Sequence, residues 1–150
     1  MKNLSYHSTN LQSSGATFRE ALLKGLAPDG GLYMPDSFPL ISRDDLSEFA
    51  DKKYYEIAFT VLNNIIGNEI SGSDLLDLCR DTYYFEVPLE KVCDRKYIMR
   101  LDQGPTASFK DFAARMMSRL MQHYLALDNR HLTILTATSG DILMPVMSPI

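Results

Sequence analysis

Between Lys96 and Ala137 the spacing of apolar residues changes period twice, and few architectures accept that order. Tyr97-Ile98-Met99-Arg100-Leu101 has strand character, and Leu132 to Ala137 reads as a second strand. Between them Phe109, Phe112, Ala113, Met116, Met117, Leu120 and Tyr124 recur at helical spacing over about four turns. Strand, helix and strand with a crossover of this length predict a βαβ unit on a parallel sheet. Gly104 and Pro105 separate the first strand from the helix. Ser108 followed by Asp111 is a capping-box pattern, which predicts a helix start near Phe109. Asp111, Arg115, Arg119 and Gln122 are assigned to the opposite face of the helix, with Asp111 and Arg115 able to pair one turn apart.

Lys110 fits neither face. Its neighbours along the helix surface are Ala113, Ala114 and Met117, an odd setting for a lysine that serves solubility alone. The helix dipole opposes a cation in the first turn by roughly 0.3–1 kcal/mol. That is less than about one pKa unit, so a neutral amine at such a place takes desolvation in a pocket. Schiff-base lysines use this environment. A lysine that lays its stem along the helix and keeps its ammonium in water accounts for the same spacing. Thr138-Ser139-Gly140-Asp141 follows the second predicted strand, at the edge where open α/β sheets bind ligands. Lys110 and this turn are thus predicted to face one crevice, although a polar turn that merely closes a strand has the same composition.

The preceding chain reads as mainly helical. Leu4 to Thr9 is a short predicted strand, and Ser14 or Thr17 caps a helix running to Leu26. Pro28-Asp29-Gly30-Gly31 is a turn before an extended Leu32-Tyr33-Met34, stopped by Pro35. Further helices are predicted over Asp44 to Asp51, Tyr54 to Ile66 with Gly67 as its stop, and from Ser71 or Ser73 to Thr82. Tyr83-Tyr84-Phe85 is assigned to the core. Pro88 marks the predicted boundary between a helical subdomain, residues 1–88, and the start of an α/β domain, residues 89–150. A hydrophobic fraction of 45% suits a globular chain, and a net charge of −4 gives no footprint for nucleic acid or anionic membrane. No secretory signal, spanning apolar run or metal-ligand spacing is present, so the expectation is a cytoplasmic protein with reduced Cys79 and Cys93 and no metal.

The segment GPTASFKDFAAR, Gly104 to Arg115, resembles the cofactor-lysine motif of threonine synthases, pyridoxal-phosphate (PLP) enzymes of the tryptophan-synthase-like fold type II. Three other segments agree in order: YHSTN from Tyr6, GLAPDGGLYMP from Gly25, and ILTATSGD from Ile134 to Asp141. The resemblance implies an α/β chain, a helical subdomain followed by the first βαβ part of the PLP domain. It implies that Lys110 is the catalytic and cofactor-binding lysine, that Ser139, Gly140 and Asp141 also bind the cofactor, and that Thr138 and Ser139 bind substrate. The implied reaction converts O-phospho-L-homoserine and water to L-threonine and phosphate, the last step of threonine biosynthesis. Gln103 departs from the family pattern, where many relatives carry His. So does Ile142 to Ile150, where Pro145 and Pro149 disrupt a regular helix. Because the family's chains are much longer, the resemblance implies a truncated N-terminal portion, inactive alone and prone to self-association through an exposed sheet edge. Two alternatives stay open: another fold type II enzyme, such as a serine/threonine dehydratase or cysteine synthase, and a non-catalytic fragment. GLAPDGGLYMP favours threonine synthase over the first of these.

Overall fold

In the computed structural model, which describes residues 4–135 and Ala137, the elements run β1 (Tyr6–Ser8), α1 (Phe18–Lys24), β2 (Tyr33–Pro35), α2 (Arg43–Glu48), α3 (Tyr54–Ile66), α4 (Gly72–Thr82), β3 (Leu89–Cys93), β4 (Lys96–Met99) and α5 (Asp111–Leu127). Short 3-10 turns, Phe49–Asp51 and Gly67–Glu69, follow α2 and α3. The chain divides into two compact units, Met1–Cys79 and Arg80–Ile150.

In the first unit β1 pairs antiparallel with β2, Tyr6 opposite Pro35 and Ser8 opposite Tyr33. Thr17 caps α1: its hydroxyl accepts the Glu20 N–H at 3.1 Å, and the Glu20 carboxylate accepts the Thr17 N–H at 3.0 Å. The two N–H groups this box leaves over, on Phe18 and Arg19, donate to the Glu69 carboxylate at 2.9 and 3.0 Å. A helix start that would strand its donors is thereby satisfied from fifty residues away in sequence. Tyr6 is buried beside it, its ring 6.1 Å from that of Phe18 and its hydroxyl donating to the Ile65 carbonyl. Burial first, and then the nearby Glu69 charge, push the Tyr6 hydroxyl up to about 12. Helix α3 has its predicted bounds, and Ser71 caps α4 by accepting the Asp74 N–H at 3.1 Å. Ile66, Leu75 and Cys79 are fully buried.

The Asp29-Gly30-Gly31 turn is tied down by one carboxylate. Asp29 accepts the Ser8 hydroxyl at 2.6 Å, the Gly31 N–H at 3.0 Å and the Gln12 N–H at 3.1 Å. The Asn10 side chain donates to the Asp29 carbonyl, and Thr9 and Leu32 exchange two bonds. Gly31 sits so close to this knot that a methyl group would overlap the Ser8 hydroxyl and stand 2.9 Å from Asn10 N. The glycine-rich segment thus joins the loop after β1 to the start of β2.

In the second unit β3 and β4 form an antiparallel hairpin, with Leu89 opposite Met99 and Lys91 opposite Tyr97. Arg100 closes its base, bonding Glu90 and holding Asp102 through two nitrogens. Residues 132–135 do not form the predicted second strand, and both ladders among the described residues are antiparallel. A strand needs a partner for its N–H and C=O groups. Here β4 takes β3, its neighbour in sequence, and Leu135 is 91% exposed. The predicted faces of α5 also change. Phe109 and Met117 are exposed, whereas Asp111, Arg115 and Arg119 are buried. These charged groups go inward because each finds a polar partner there, which the periodicity of apolar residues cannot register.

Candidate active site

The chain from Gly104 to Lys110 forms a tight turn that delivers Lys110 to the start of α5. Its centre is the Asp111 carboxylate, which is fully buried. One oxygen accepts the Thr106 N–H at 3.0 Å and the other the Thr106 hydroxyl at 2.8 Å. The predicted capping box between Ser108 and Asp111 is therefore not made. Instead the Ser108 hydroxyl accepts the Lys110 N–H at 3.3 Å, and the Ser108 carbonyl accepts the Asp111 N–H at 3.0 Å. Gly104 leaves room for the carboxylate: a methyl group there would lie 2.8 Å from Asp111 Cβ. Ala107, between them, takes φ of +54°, a left-handed conformation that residues with a side chain seldom adopt. Its N–H bonds the Gly104 carbonyl at 3.0 Å. A strained residue of this kind persists only where its surroundings hold it, and here they do.

Lys110 is half-buried, with its Nζ 5.5 Å from the centre of the exposed Phe109 ring. A primary amine beside a flat aromatic face fits the aldehyde and ring of PLP. The first N–H groups of α5 suit a phosphate less well, because those of Lys110, Asp111 and Phe112 already bond Ser108 and Phe109.

Beneath the turn lies an aromatic cluster. Phe112 stacks on Tyr83 at 6.2 Å and meets Phe85 edge-on at 5.4 Å, and the Tyr83 hydroxyl donates to the Phe112 carbonyl at 2.8 Å. Tyr83 is core, as predicted, while Tyr84 is 65% exposed and carries the Arg115 guanidinium 5.3 Å over its ring. Arg115 also donates to the Thr82 carbonyl, and Arg119 pairs with Asp81. Asp102 lies well below the usual carboxylate range because Arg100, and then the Gln103 side chain, hydrogen-bond to it. Gln103 thus has a partner at the base of the hairpin. Thr138, Ser139, Gly140 and Asp141 lie outside the described residues, and so does their predicted crevice with Lys110. The sequence reading missed Thr106 as the partner of Asp111. The pairing of Gly104 with a following Thr and Asp is the one local signal that could have pointed to it.

Residues 5–83, just over half of the chain, match the family model for the threonine synthase N terminus. The chain belongs to the threonine synthase family. Threonine synthase of Methylobacillus glycogenes is 38% identical over 92% of this chain and 32% of its own length. Among solved structures, PLP-bound threonine synthase from Brucella melitensis superposes with a TM-score of 0.91 at 34% identity, over 96% of this chain and 32% of that one. The Escherichia coli threonine synthase gives 0.83 at 29% identity, over 95% of this chain and 33% of that one. This chain therefore spans about a third of the length of the threonine synthases it matches, and its fold is that of their N-terminal part in fold type II.

Proposed function

We propose that this chain serves the threonine synthase reaction, conversion of O-phospho-L-homoserine and water to L-threonine and phosphate, with Lys110 as the cofactor lysine. The observation that carries the reading is the placement of Lys110: a half-buried residue at the end of a turn held by Thr106, Ala107 and Asp111, with its amine beside an aromatic face. A relative with 34% identity is PLP-bound. PLP, when bound, supplies the electron sink that this chemistry draws on. This chain's own contribution is a lysine and a polar turn. Lys110 Nζ would hold the cofactor through its aldehyde, and the same amine would accept and return protons at the substrate carbons. The hydroxyls and amides of Thr138 and Ser139 are assigned to the substrate carboxylate, and Ser139, Gly140 and Asp141 to the cofactor. The small-molecule substrate suits a cytoplasmic setting. No helix among the described residues is long and apolar enough to cross a membrane.

The test is to reduce the protein with borohydride in the presence of PLP and map the modified peptide. Lys110 should carry the label, and Lys110→Ala should lose it while keeping its circular dichroism. Label on Lys91 or Lys96 instead would remove the assignment. Release of phosphate from O-phospho-L-homoserine together with threonine distinguishes this activity from a dehydratase, whose dominant product from threonine is 2-oxobutanoate.

A further inference from the structure

We propose that Asp111 is the positioning residue for Lys110: its buried carboxylate fixes the turn from Gly104 to Lys110 and so sets where the lysine amine stands. The proposal rests on the reading of Lys110 as the cofactor lysine. An acidic residue in the first turn of a helix ordinarily keeps its carboxylate in water and gains from the dipole. Asp111 does otherwise. It is fully buried, and its two oxygens reach back along the chain to the N–H and the hydroxyl of the same residue, Thr106. Gly104 yields its side-chain space to that carboxylate, and Ala107 accepts a left-handed backbone between the two anchors.

Every residue from Thr106 to Lys110 thus lies within a ring closed by the Asp111–Thr106 pair, and Lys110 is the residue next to the closing side chain. If the pair is lost, Ala107 has less to hold it left-handed, and the lysine loses its fixed origin. A residue that merely filled this space would leave the Thr106 N–H without its acceptor. The carboxylate oxygens satisfy both donors at once and couple the turn to the first residue of α5. This is the kind of support that decides whether a reacting group stands in productive geometry.

Three variants test the proposal: Asp111→Ala removes the acceptor, Thr106→Val removes only the hydroxyl, and Thr106→Ser restores it. Each is exposed to PLP and borohydride, and the label on Lys110 is compared with that on Lys91 and Lys96 in the same sample. Deuterium exchange of the peptide spanning residues 104–110 is followed in parallel. In Asp111→Ala and Thr106→Val the Lys110-to-Lys96 labelling ratio should fall by about tenfold or more and exchange in the turn should quicken, with Thr106→Ser close to wild type. Faster exchange with an unchanged labelling ratio would reduce Asp111 to a structural residue and overturn the proposal, as would wild-type behaviour in both measurements. Should Asp111→Ala fail to fold, Thr106→Val with its serine rescue decides alone. Absence of label on Lys110 in the wild type would overturn the cofactor-lysine reading instead, a separate result, since the exchange data still report on the turn.

Discussion

A methyl group on Gly31 would overlap the Ser8 hydroxyl and press on Asn10 N, both part of the knot around Asp29. Gly31→Ala is therefore expected to destabilise the protein by about 1–3 kcal/mol, the cost of forcing atoms into a packed site, read from the urea midpoint. The same knot has a pH signature. Hydrogen bonds from Ser8, then from the Gly31 and Gln12 N–H groups, hold the Asp29 carboxyl below its ordinary value. A carboxyl lowered on folding contributes stability above its unfolded pKa, and that contribution is lost as the pH falls through the folded value. Asp29→Asn should accordingly flatten the acid limb of stability below about pH 4, in urea titrations across pH. An Asp29→Asn limb as steep as that of the wild type would show that the carboxylate is not the group titrating. From the sequence, Asp29-Gly30-Gly31 was legible as a turn because glycine and aspartate have strong local preferences. Its partners were not legible, since Ser8 and Gln12 are brought to it only by the pairing of β1 with β2. Ser108 and Asp111 show the converse: a local pattern was present, and Thr106 took the carboxylate instead.

Among the helices, α3 was legible to the residue because a long apolar stripe and a terminal glycine need no distant partner to define them. Helix α1 starts after Thr17, one of the two caps expected there with Ser14, but half of its N-terminal satisfaction comes from Glu69. Thr17→Ala is expected to cost about 1 kcal/mol. Glu69→Ala should cost more, about 1.5–3 kcal/mol, because it strips a charged acceptor from two N–H groups at once. Chemical denaturation of both variants checks the order, and a smaller loss for Glu69→Ala would make its two bonds incidental. Helix α5 was legible as a helix and misread in its facing. Its spacing gives Met116, Leu120 and Tyr124 correctly, while Arg115 and Arg119 are drawn inward by Thr82, Tyr84 and Asp81. Charge sets a prior for exposure, and that prior fails where a guanidinium meets a carbonyl, a ring or a carboxylate.

For the molecule as a whole, the family was legible in four separated segments, while the sheet was not. Residues 132–135 of the predicted strand are unpaired among the described residues, where β4 pairs with β3 instead. Every residue of β3 and β4 is exposed, and Leu89, Val92, Tyr97, Ile98 and Met99 each remain 52–66% accessible. An apolar hairpin with open edges favours pairing with another copy. Sedimentation velocity of the 150-residue chain is expected to show association that weakens in a Val92→Thr, Ile98→Thr double variant. A strictly monomeric chain would count against it. The two cysteines lie on opposite sides of this contrast between covered and open surface. Cys93 is exposed on β3, whereas Cys79 is wholly enclosed in α4, its thiol pushed up to about 12 by burial. The thiolate is the reacting form, so an alkylating reagent meets one cysteine while the fold is closed and the second only when α4 opens. The protein thus carries its own clock. Alkylation of Cys79, timed against Cys93 in the same tube, reports opening of the helix with no engineered cysteine.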